Sequence, residues 1–483
     1  MDDAIAFASA RTLAGMVREK KASAVELLDF YLARIDRLNP RINAVILERA
    51  EEARKEAARC DELTAKGQSL GPLHGVPMTV KESFDVAGTP STWGLTAHRD
   101  NIAERDALSV ERLRRAGAIV FGKTNVPVWL ADWQSFNPIY GTTNNPWNVG
   151  RTPGGSSGGS AAALAAGLTG LELGSDIGAS IRNPAHYCGV YGLKPTFDIC
   201  PRDGHLLPGS FAHGDISAIG PLARSAYDIE TALDIIAGPN ALDATGMRLA
   251  LPRSNKTKIS DFRVTVMSGA ETAPVDAAVR KEIETLADWL EKQGATVDRV
   301  ARPVDPAEAH ETYIMLLRSA TSAAPDEAAH AKLLAARDEV GSRNDYYAWH
   351  VRANTMGHRE WLGWNNRRAR MVQDWARFFT RFDLLLCPTA TTTAFPHMQT
   401  GERWERMISV DGKDQPTTTQ LFWAGYSNMV FLPSIVAPAG LAADGLPVGV
   451  QIVAPAYQDH SAIRFAQLLE DQYRAFTPPP GFA

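Results

Sequence analysis

Two serine-bearing glycine segments decide how this sequence is interpreted: residues 154–160 read GGSSGGS, and residues 174–182 read GSDIGASIR. A stretch of small residues, 161–167, is predicted to be helical and lies between them. Upstream, Lys81 ends the apolar run GVPMTVK. Glycine lets the backbone approach a ligand closely, serine supplies a nucleophilic hydroxyl, and a desolvated lysine can act as a base. The three elements together predict a serine hydrolase that uses lysine rather than histidine.

This arrangement resembles the amidase signature family, whose pattern runs from a lysine through GGSSGGS to GSDxGGSIRxPA. Residues 174–185 read GSDIGASIRNPA, so Ala179 stands where the family usually has glycine. Other family elements follow in the expected order: GKTN at 122–125, NNPWN at 144–148, LKPT at 193–196, GPLARS at 220–225 and GLPVGVQ at 445–451.

The resemblance implies an α/β fold in which a large twisted mixed β-sheet of about ten or more strands is covered by α-helices, a size that large α/β enzymes reach. It also implies one domain over residues 1–483. Within it, we expect the signature core at about 70–225 and a variable helical region at about 250–380. The implied reaction is hydrolysis of the C–N bond of an amide without a cofactor.

The resemblance also implies a role for each residue of the two segments. Ser180 matches the nucleophile that forms an acyl-enzyme, Ser156 matches a bridging serine after a cis Gly155–Ser156 bond, and Lys81 matches the terminal base. The backbone amides that would form the oxyanion hole are those of Ile177, Gly178, Ala179 and Ser180. The supporting residues are Ser157, Asp176 and Arg182.

The chemistry explains why a lysine base needs a particular environment. A serine hydroxyl attacks poorly until a base removes its proton. Lysine has a reference pKa of about 10.4, and it becomes a base near neutral pH only when burial disfavours the ammonium form. The apolar residues before Lys81, among them Val76 and Val80, predict such burial.

Two other motifs also fit parts of the glycine-serine run. Residues 154–158 match G-x-S-x-G, the nucleophile elbow of α/β-hydrolases, but that elbow must directly follow a strand. Residues 146–153 contain two prolines and turn-forming residues, so this context is wrong. A phosphate- or nucleotide-binding module is the second alternative, although the run lacks both G-x-x-x-x-G-K-[ST] and G-x-G-x-x-G.

Substrate choice is less constrained by the sequence. The glutaminase subunit of tRNA-dependent amidotransferases is one relative, but it usually continues after the KPT element with a Gly-Arg-Val-Ser type sequence. Here residues 197–205 read FDICPRDGH, which favours a stand-alone amidase. Urethanase or esterase activity on carbamates or esters remains an alternative, because the tetrahedral chemistry is shared. Aromatic residues expected to line a pocket for aryl or bulky amides are Trp129, Trp133, Phe395 and Trp423.

Composition sets the remaining expectations. The net charge of −5 without a basic stripe predicts no nucleic-acid partner. No apolar run approaches a membrane span and no signal peptide is expected at the start of the chain. Four cysteines without C-x-x-C spacing are expected to be reduced thiols, so we predict a cytoplasmic protein. No H-E-x-x-H motif occurs, so no metal is expected. The oligomeric state is left open, with a homodimer as one option.

Several elements can be placed from periodicity. Ser23 and Glu26 have capping-box spacing at the start of a helix. Residues 262–267 and 296–300 read as strands around an amphipathic helix that ends near Gly294, a βαβ pattern. Further strands are expected at 118–121, 383–387, 434–437 and 448–453, with a closing helix at 459–473. Residues 197–215 and 301–330 are expected to be loops or insertions.

Overall fold

The strands of the chain are short and mostly buried. The computed structural model describes residues 3–323 and 326–482. Its strands are β1 (Val45–Glu48), β2 (Pro77–Lys81), β3 (Ile119–Thr124), β4 (Phe136–Asn137), β5 (Gly141–Thr142), β6 (Glu172–Asp176), β7 (Tyr191–Lys194), β8 (Ala218–Ala223), β9 (Arg263–Val266), β10 (Thr296–Asp298), β11 (Leu384–Pro388), β12 (Met407–Val410), β13 (Lys413–Pro416), β14 (Ser434–Leu441) and β15 (Pro447–Val453).

Helices pack around these strands. They are α1 (Ala10–Arg18), α2 (Ala24–Ile42), α3 (Ala50–Ala65), α4 (Leu108–Arg115), α5 (Gly158–Ala165), α6 (Arg182–Cys188), α7 (Ala226–Ile236), α8 (Ala277–Lys292), α9 (Pro306–Ala320), α10 (Glu327–Val340), α11 (Tyr346–Asn354), α12 (His358–Phe378), α13 (Leu421–Asn428) and α14 (Asp459–Gln472). In the described part of the chain, no helix is long and apolar enough to cross a membrane.

Eight strands form the larger sheet, in the order β10–β9–β11–β15–β14–β7–β8–β6. β9 pairs in parallel with both β10 and β11, whereas the remaining pairs are antiparallel, so the sheet is mixed as expected. β6, β7, β8, β11 and β15 are buried along their whole length. Helices therefore cover both faces of the sheet, and the predicted α/β class is confirmed.

Local signals predicted several elements correctly. The capping box is present at the start of α2, where Ser23 and Glu26 satisfy each other's backbone N–H groups. The predicted βαβ unit is β9–α8–β10, with Arg263 opposite Thr296 in a parallel pair. The other predicted strands and the closing helix appear as β3, β11, β14, β15 and α14.

Two expectations about the fold were wrong. We expected one sheet of about ten or more strands. The structure instead contains the eight-stranded sheet and a separate three-stranded sheet, β1–β3–β2. Residues 301–330 are not mainly a loop, because α9 occupies residues 306–320 and is largely buried. Asp305 caps this helix by accepting from Glu308 N at 2.8 Å, and Pro306 at its first position is compatible with a helix start. Residues 197–215, by contrast, contain no helix or strand.

The edges of the two sheets meet at β2 and β6. Thr79 N donates to Thr169 Oγ1 at 2.9 Å, and Gly170 N donates to Pro77 O at 3.0 Å. The Thr79 hydroxyl also donates to the carboxyl of Glu172, whose pKa burial raises to about 8. This group is therefore largely uncharged at neutral pH, and the junction remains free of a buried charge. The ends of β2 and β6 lie side by side as a result.

The glycines of residues 154–160 allow close packing against neighbouring loops. A Cβ atom on Gly155 would lie 2.2 Å from Asp132 O, and one on Gly159 would lie 2.3 Å from Asn125 N. Neither contact is sterically acceptable, so both positions need glycine. One buried apolar cluster contains residues from Ala10 through Phe482, and the single-domain organisation with its core and variable regions remains a prediction.

Candidate active site

Lys81, the last residue of β2, is fully buried. Its Nζ donates to Ser156 Oγ at 2.7 Å and to Ser175 Oγ at 2.9 Å. Burial lowers the Lys81 pKa to about 7, although the negative charges of Asp176 and Glu82 act in the opposite direction. A lysine with this pKa has a substantial neutral fraction at neutral pH, and the neutral amine can accept a proton from the hydroxyl beside it.

The two carboxylates near Lys81 are held by other partners. Glu82 accepts hydrogen bonds from Thr92 N at 2.6 Å and from Trp93 N at 3.0 Å. Asp176 forms a fully buried ion pair with Arg182, whose Nη2 lies 2.9 Å from Asp176 Oδ1. Burial alone would raise the Asp176 pKa, but the Arg182 charge and backbone N–H donors hold it below its ordinary value. Neither carboxylate forms an ion pair with Lys81, which leaves hydroxyl groups as its side-chain partners.

The GGSSGGS segment brings Ser156 to the lysine. The Gly155–Ser156 peptide bond is cis, and Gly155 N donates to Asn183 Oδ1 at 3.3 Å. Ser157 N donates to Ser180 O at 3.0 Å, which connects this segment to the second serine segment. Ser157 Oγ also donates to Ser175 O at 3.4 Å. The structure thus brings Lys81, Ser156 and the backbone of Ser180 together around the end of β6.

Ser180 lies in the loop between β6 and α6, and 5% of its surface is exposed. The backbone of this loop is held through its carbonyl groups. Ile177 O accepts from Asn428 Nδ2 at 2.7 Å and from Tyr313 Oη at 2.9 Å, and Gly178 O accepts from Trp133 Nε1 at 2.6 Å. In a trans peptide the N–H group points away from the C=O group. The anchors on Ile177 O therefore orient the Gly178 N–H.

Not all backbone N–H groups of this loop are free to bind an oxyanion. Those of Ile177, Gly178 and Ser180 make no hydrogen bond to any other residue of the described chain. Ala179 N, in contrast, donates to Asp176 Oδ1 at 2.9 Å. This departs from the expectation that Ala179 supplies an oxyanion donor, because its N–H is already engaged. Ala179 also has φ +66°, a left-handed conformation that explains why the family usually has glycine here.

The predicted aromatic residues have different environments. Trp133 is partly buried, and its indole contacts the loop of Ser180. Trp129 is partly buried, and its N donates to Trp93 O at 2.9 Å. Phe395 is nearly buried in a small apolar cluster that Trp133 also contacts. Trp423 has no exposed surface and packs in the main core. Its burial argues against the expected contact between Trp423 and substrate.

Three residues of this site were not predicted from the sequence. Ser175 contacts Lys81, and its place inside the GSD motif was a signal that could have been used. Tyr313 and Asn428 reach the loop of Ser180 from α9 and α13, far away in the chain. They carried no local signal, and Tyr313 lies in a stretch expected to be a loop or insertion.

The side chains around this site do not form a metal centre. Within residues 3–323 and 326–482, no group of three or more histidine, cysteine, aspartate or glutamate side chains could hold a metal ion. The cysteines are free and buried, and none contributes to the lysine–serine cluster: Cys60, Cys188, Cys200 and Cys387.

Comparison with known proteins identifies the family of this chain. The family model described as Amidase matches residues 26–463. The chain belongs to the amidase signature family. It is an amide-hydrolysing enzyme, and its predicted fold class and family are confirmed.

Curated relatives are similar over nearly the whole chain. An indoleacetamide hydrolase of Bradyrhizobium diazoefficiens is 33% identical, and the match covers 96% of this chain and 86% of the relative. An acylamidase of Rhodococcus erythropolis is also 33% identical, with 96% and 94% covered. A glutamyl-tRNA(Gln) amidotransferase chain of Thermosynechococcus vestitus is 30% identical, with 93% and 95% covered.

A solved bacterial aryl acylamidase of the same family has the same fold. It superimposes with a TM-score of 0.81, covering 96% of each chain, at 24% identity. A second solved chain, from a complex that concerns the origin of an s-triazine catabolic enzyme, gives a TM-score of 0.82 at 27% identity and covers 97% of this chain and 99% of its own length.

The environment of Lys81 predicts how the rate depends on pH. Because burial lowers its pKa to about 7, the amine is neutral above that pH and protonated below it. With a neutral amide, kcat/KM should rise through about pH 7 to an alkaline plateau. Lys81→Met should lower kcat by roughly 10⁴-fold or more, since base and nucleophile act as a unit. The exposed Lys292→Met variant is the control and should keep the wild-type profile. A rate that falls between pH 6 and pH 8 would contradict this assignment.

The hydrogen bond from Tyr313 to Ile177 O predicts that a substitution of Tyr313 slows the reaction. Tyr313→Phe removes one of the two donors to this carbonyl and frees the Gly178 amide to change direction. We expect kcat to fall about tenfold with little change in KM, a smaller loss than the roughly 100-fold for removing an oxyanion donor itself. Tyr227→Phe is a matched control, because its hydroxyl donates to Asp471 at a distant, exposed position. An unchanged kcat for Tyr313→Phe would show that the anchor has no catalytic effect.

Proposed function

We propose that this chain is a stand-alone amidase that cleaves aryl or bulky amides through an acyl-enzyme on Ser180. The observation that carries the proposal is the 2.7 Å contact between the buried Lys81 Nζ and Ser156 Oγ. Lys81 has a lowered pKa, and the segment of Ser156 is hydrogen-bonded to the backbone of Ser180. This is the combination that a lysine-driven serine nucleophile needs.

In the first half of the reaction, Ser180 Oγ attacks the carbonyl carbon of the amide. Its proton passes to Ser156 Oγ, while the proton of that hydroxyl passes to Lys81 Nζ. A C–O bond forms, and the π electrons of the carbonyl move to its oxygen. When the tetrahedral intermediate collapses, the C–N bond breaks. The proton returns from Lys81 through Ser156 to the leaving nitrogen.

In the second half, a water molecule takes the place of the amine. It attacks the acyl-enzyme and gives its proton to the same relay, and Ser180 leaves with a proton. The negative charge in both tetrahedral states would be stabilised by the amides of Ile177, Gly178 and Ser180. Asp176 and Arg182 serve as supporting residues, because their ion pair fixes the loop that carries these amides. Ser157 fixes the two segments relative to each other.

The aromatic residues beside the loop support the substrate class. Trp133 lies against Gly178 and Trp129 belongs to the same segment, so both are placed to contact an aryl or bulky group. Phe395 would support Trp133 from the small apolar cluster. Two relatives are named for indoleacetamide and for acylamides, which agrees with this class. Carbamates and esters would pass through the same tetrahedral chemistry and remain second candidates.

The role of an amidotransferase subunit receives less support. Residues 197–205 differ from the sequence usual in such subunits, and in this chain the Phe197 ring packs against Phe431 at 4.8 Å between centroids.

A phosphate- or nucleotide-binding role is also disfavoured. The glycines of residues 154–160 are in close contact with Asp132, Ser135 and Asn125, so they leave no open cradle for a phosphate group. A cytoplasmic location and a homodimer remain predictions.

A comparison of substrates on the isolated chain tests this proposal. The purified protein should hydrolyse 4-nitroacetanilide without ATP, tRNA or a second subunit. Its kcat/KM for glutamine should be at least tenfold lower, because desolvating a charged α-ammonium group without a partner is costly. Released 4-nitroaniline and released ammonia measure the two reactions. Ser180→Ala is the control for contaminating activity. A preference for glutamine, or activity only with a partner protein, would favour the amidotransferase.

A further inference from the structure

Two arginines near the loop of Ser180 have no acidic partner in the described part of the chain. Arg318, near the end of α9, is 8% exposed, and its Nε is buried without a hydrogen-bond partner. Arg403 is partly buried. Neither side chain forms an ion pair or a hydrogen bond with any residue in the described ranges. Trp404, which directly follows Arg403, packs on the His350 ring of α11 with the centroids 4.9 Å apart. Burial and the charge of Arg318 lower the pKa of Arg403.

The rings packed beside Arg318 add a hydroxyl donor but no negative charge. The Arg318 guanidinium lies over the Tyr346 ring, with its Cζ 5.6 Å from the ring centroid, and the buried Tyr346 hydroxyl has no hydrogen-bond partner among the described residues. The His350 ring stacks on Tyr346 at 6.2 Å. Burial and the charges of both arginines lower the His350 pKa to about 3, so this ring is neutral.

Two acidic residues influence Arg403, and neither forms an ion pair with it in the described part of the chain. Asp132 and Glu402 both raise the pKa of Arg403, but the Asp132 carboxylate lies 2.5 Å from Arg406 Nη1 in an ion pair and Glu402 is exposed to solvent. The two arginines therefore leave a net positive charge in a partly desolvated place. Such an arrangement is costly unless an anion is bound, because buried charges in proteins are normally paired.

Both arginines lie close in the chain to residues that contact the loop of Ser180. Arg318 is on the same helix as Tyr313, whose hydroxyl donates to Ile177 O, and its charge acts on the Tyr313 pKa. Arg403 lies three residues before Arg406, which pairs with Asp132. Asp132 directly precedes Trp133, whose indole donates to Gly178 O. The pair is therefore flanked by the two segments, α9 and the stretch around Trp133, that contact the loop of Ser180.

We propose that Arg318, Arg403 and the Tyr346 hydroxyl form an anion subsite that selects amides whose acyl chain ends in a carboxylate. This inference rests on the proposed amidase function and names its substrate class more closely. Guanidinium groups bind carboxylates through charge-assisted hydrogen bonds, and the tyrosine hydroxyl supplies a further donor. An α-amino acid such as glutamine fits less well, because its ammonium group would approach two positive charges. The monoamide of a dicarboxylic acid has the anion without the cation.

A series of 4-nitroanilides tests the subsite. The probes are the mono-4-nitroanilides of succinic and glutaric acid, the neutral hexanoyl 4-nitroanilide and the cationic 5-aminopentanoyl 4-nitroanilide. With the wild-type protein, kcat/KM should be at least tenfold higher for one of the two anionic probes than for the neutral probe, and lowest for the cationic probe. The difference should appear mainly in KM and should shrink at high salt, since screening weakens charge attraction.

Variants then assign the effect to these residues. Arg318→Met and Arg403→Met should each lower the ratio of anionic to neutral kcat/KM about tenfold or more, and Tyr346→Phe should lower it several-fold. Arg377→Gln is the matched control, because this arginine is exposed on α12 and pairs with Asp374; it should leave the ratio unchanged. If the buried Arg318→Met fails to fold, as judged by thermal unfolding, Arg403→Met and Tyr346→Phe decide the result.

The outcomes separate the two proposals. Hydrolysis of the neutral anilide at least as fast as both anionic ones would overturn the subsite while leaving the amidase function intact. An unchanged ratio in Arg403→Met and Tyr346→Phe would overturn it as well. If no anilide is hydrolysed while glutamine is, the proposed function itself fails.

Discussion

The burial of Lys81 against Ser156 is the constraint on which the proposed chemistry depends. A lysine in water stays protonated well above neutral pH, and here its pKa lies at about 7 because the ammonium form is desolvated. Two carboxylates are close enough to oppose this effect. Both have other partners, because Asp176 pairs with Arg182 and Glu82 accepts from two backbone amides. The protein thus places an amine among hydroxyl groups and keeps anions from holding its proton.

The fold meets this constraint by joining two sheets at their edges. Lys81 ends β2 of the small sheet, while Ser175 and Asp176 end β6 of the large one. Asp176 has two effects, because it neutralises Arg182 and also accepts N–H groups of the loop that carries Ser180. The carbonyls of that loop are held from outside by Tyr313, Asn428 and Trp133. The same loop therefore has its carbonyls and the amides of Ala179 and Ile181 engaged, whereas the amides of Ile177, Gly178 and Ser180 are available for an oxyanion.

The sequence predicted those parts of the molecule that depend on local patterns. Capping residues and the βαβ unit are short-range signals, and the structure contains the elements they predict. Contacts between distant segments could not be inferred in this way. Tyr313 comes from a stretch rich in alanine and proline that was expected to be a loop or insertion, and only its packing shows its contact with Ile177. Trp423 was expected at the substrate and lies in the core, because hydrophobic character does not distinguish a pocket wall from a core position. The sequence showed that Ala179 has a backbone N–H group, but it could not show that this group donates a hydrogen bond to Asp176.

Covalent labelling tests the central claim, that Lys81 and Ser156 activate Ser180, most directly. The purified chain is incubated with a fluorophosphonate at pH 8, and the site and rate of modification are determined by peptide mapping and intact mass. We predict one adduct on Ser180, labelling that slows strongly as pH falls below about 7, and loss of labelling in Ser180→Ala and Lys81→Met. An adduct on Ser156 or Ser157, or labelling of Ser180 that proceeds equally fast in Lys81→Met, would contradict it.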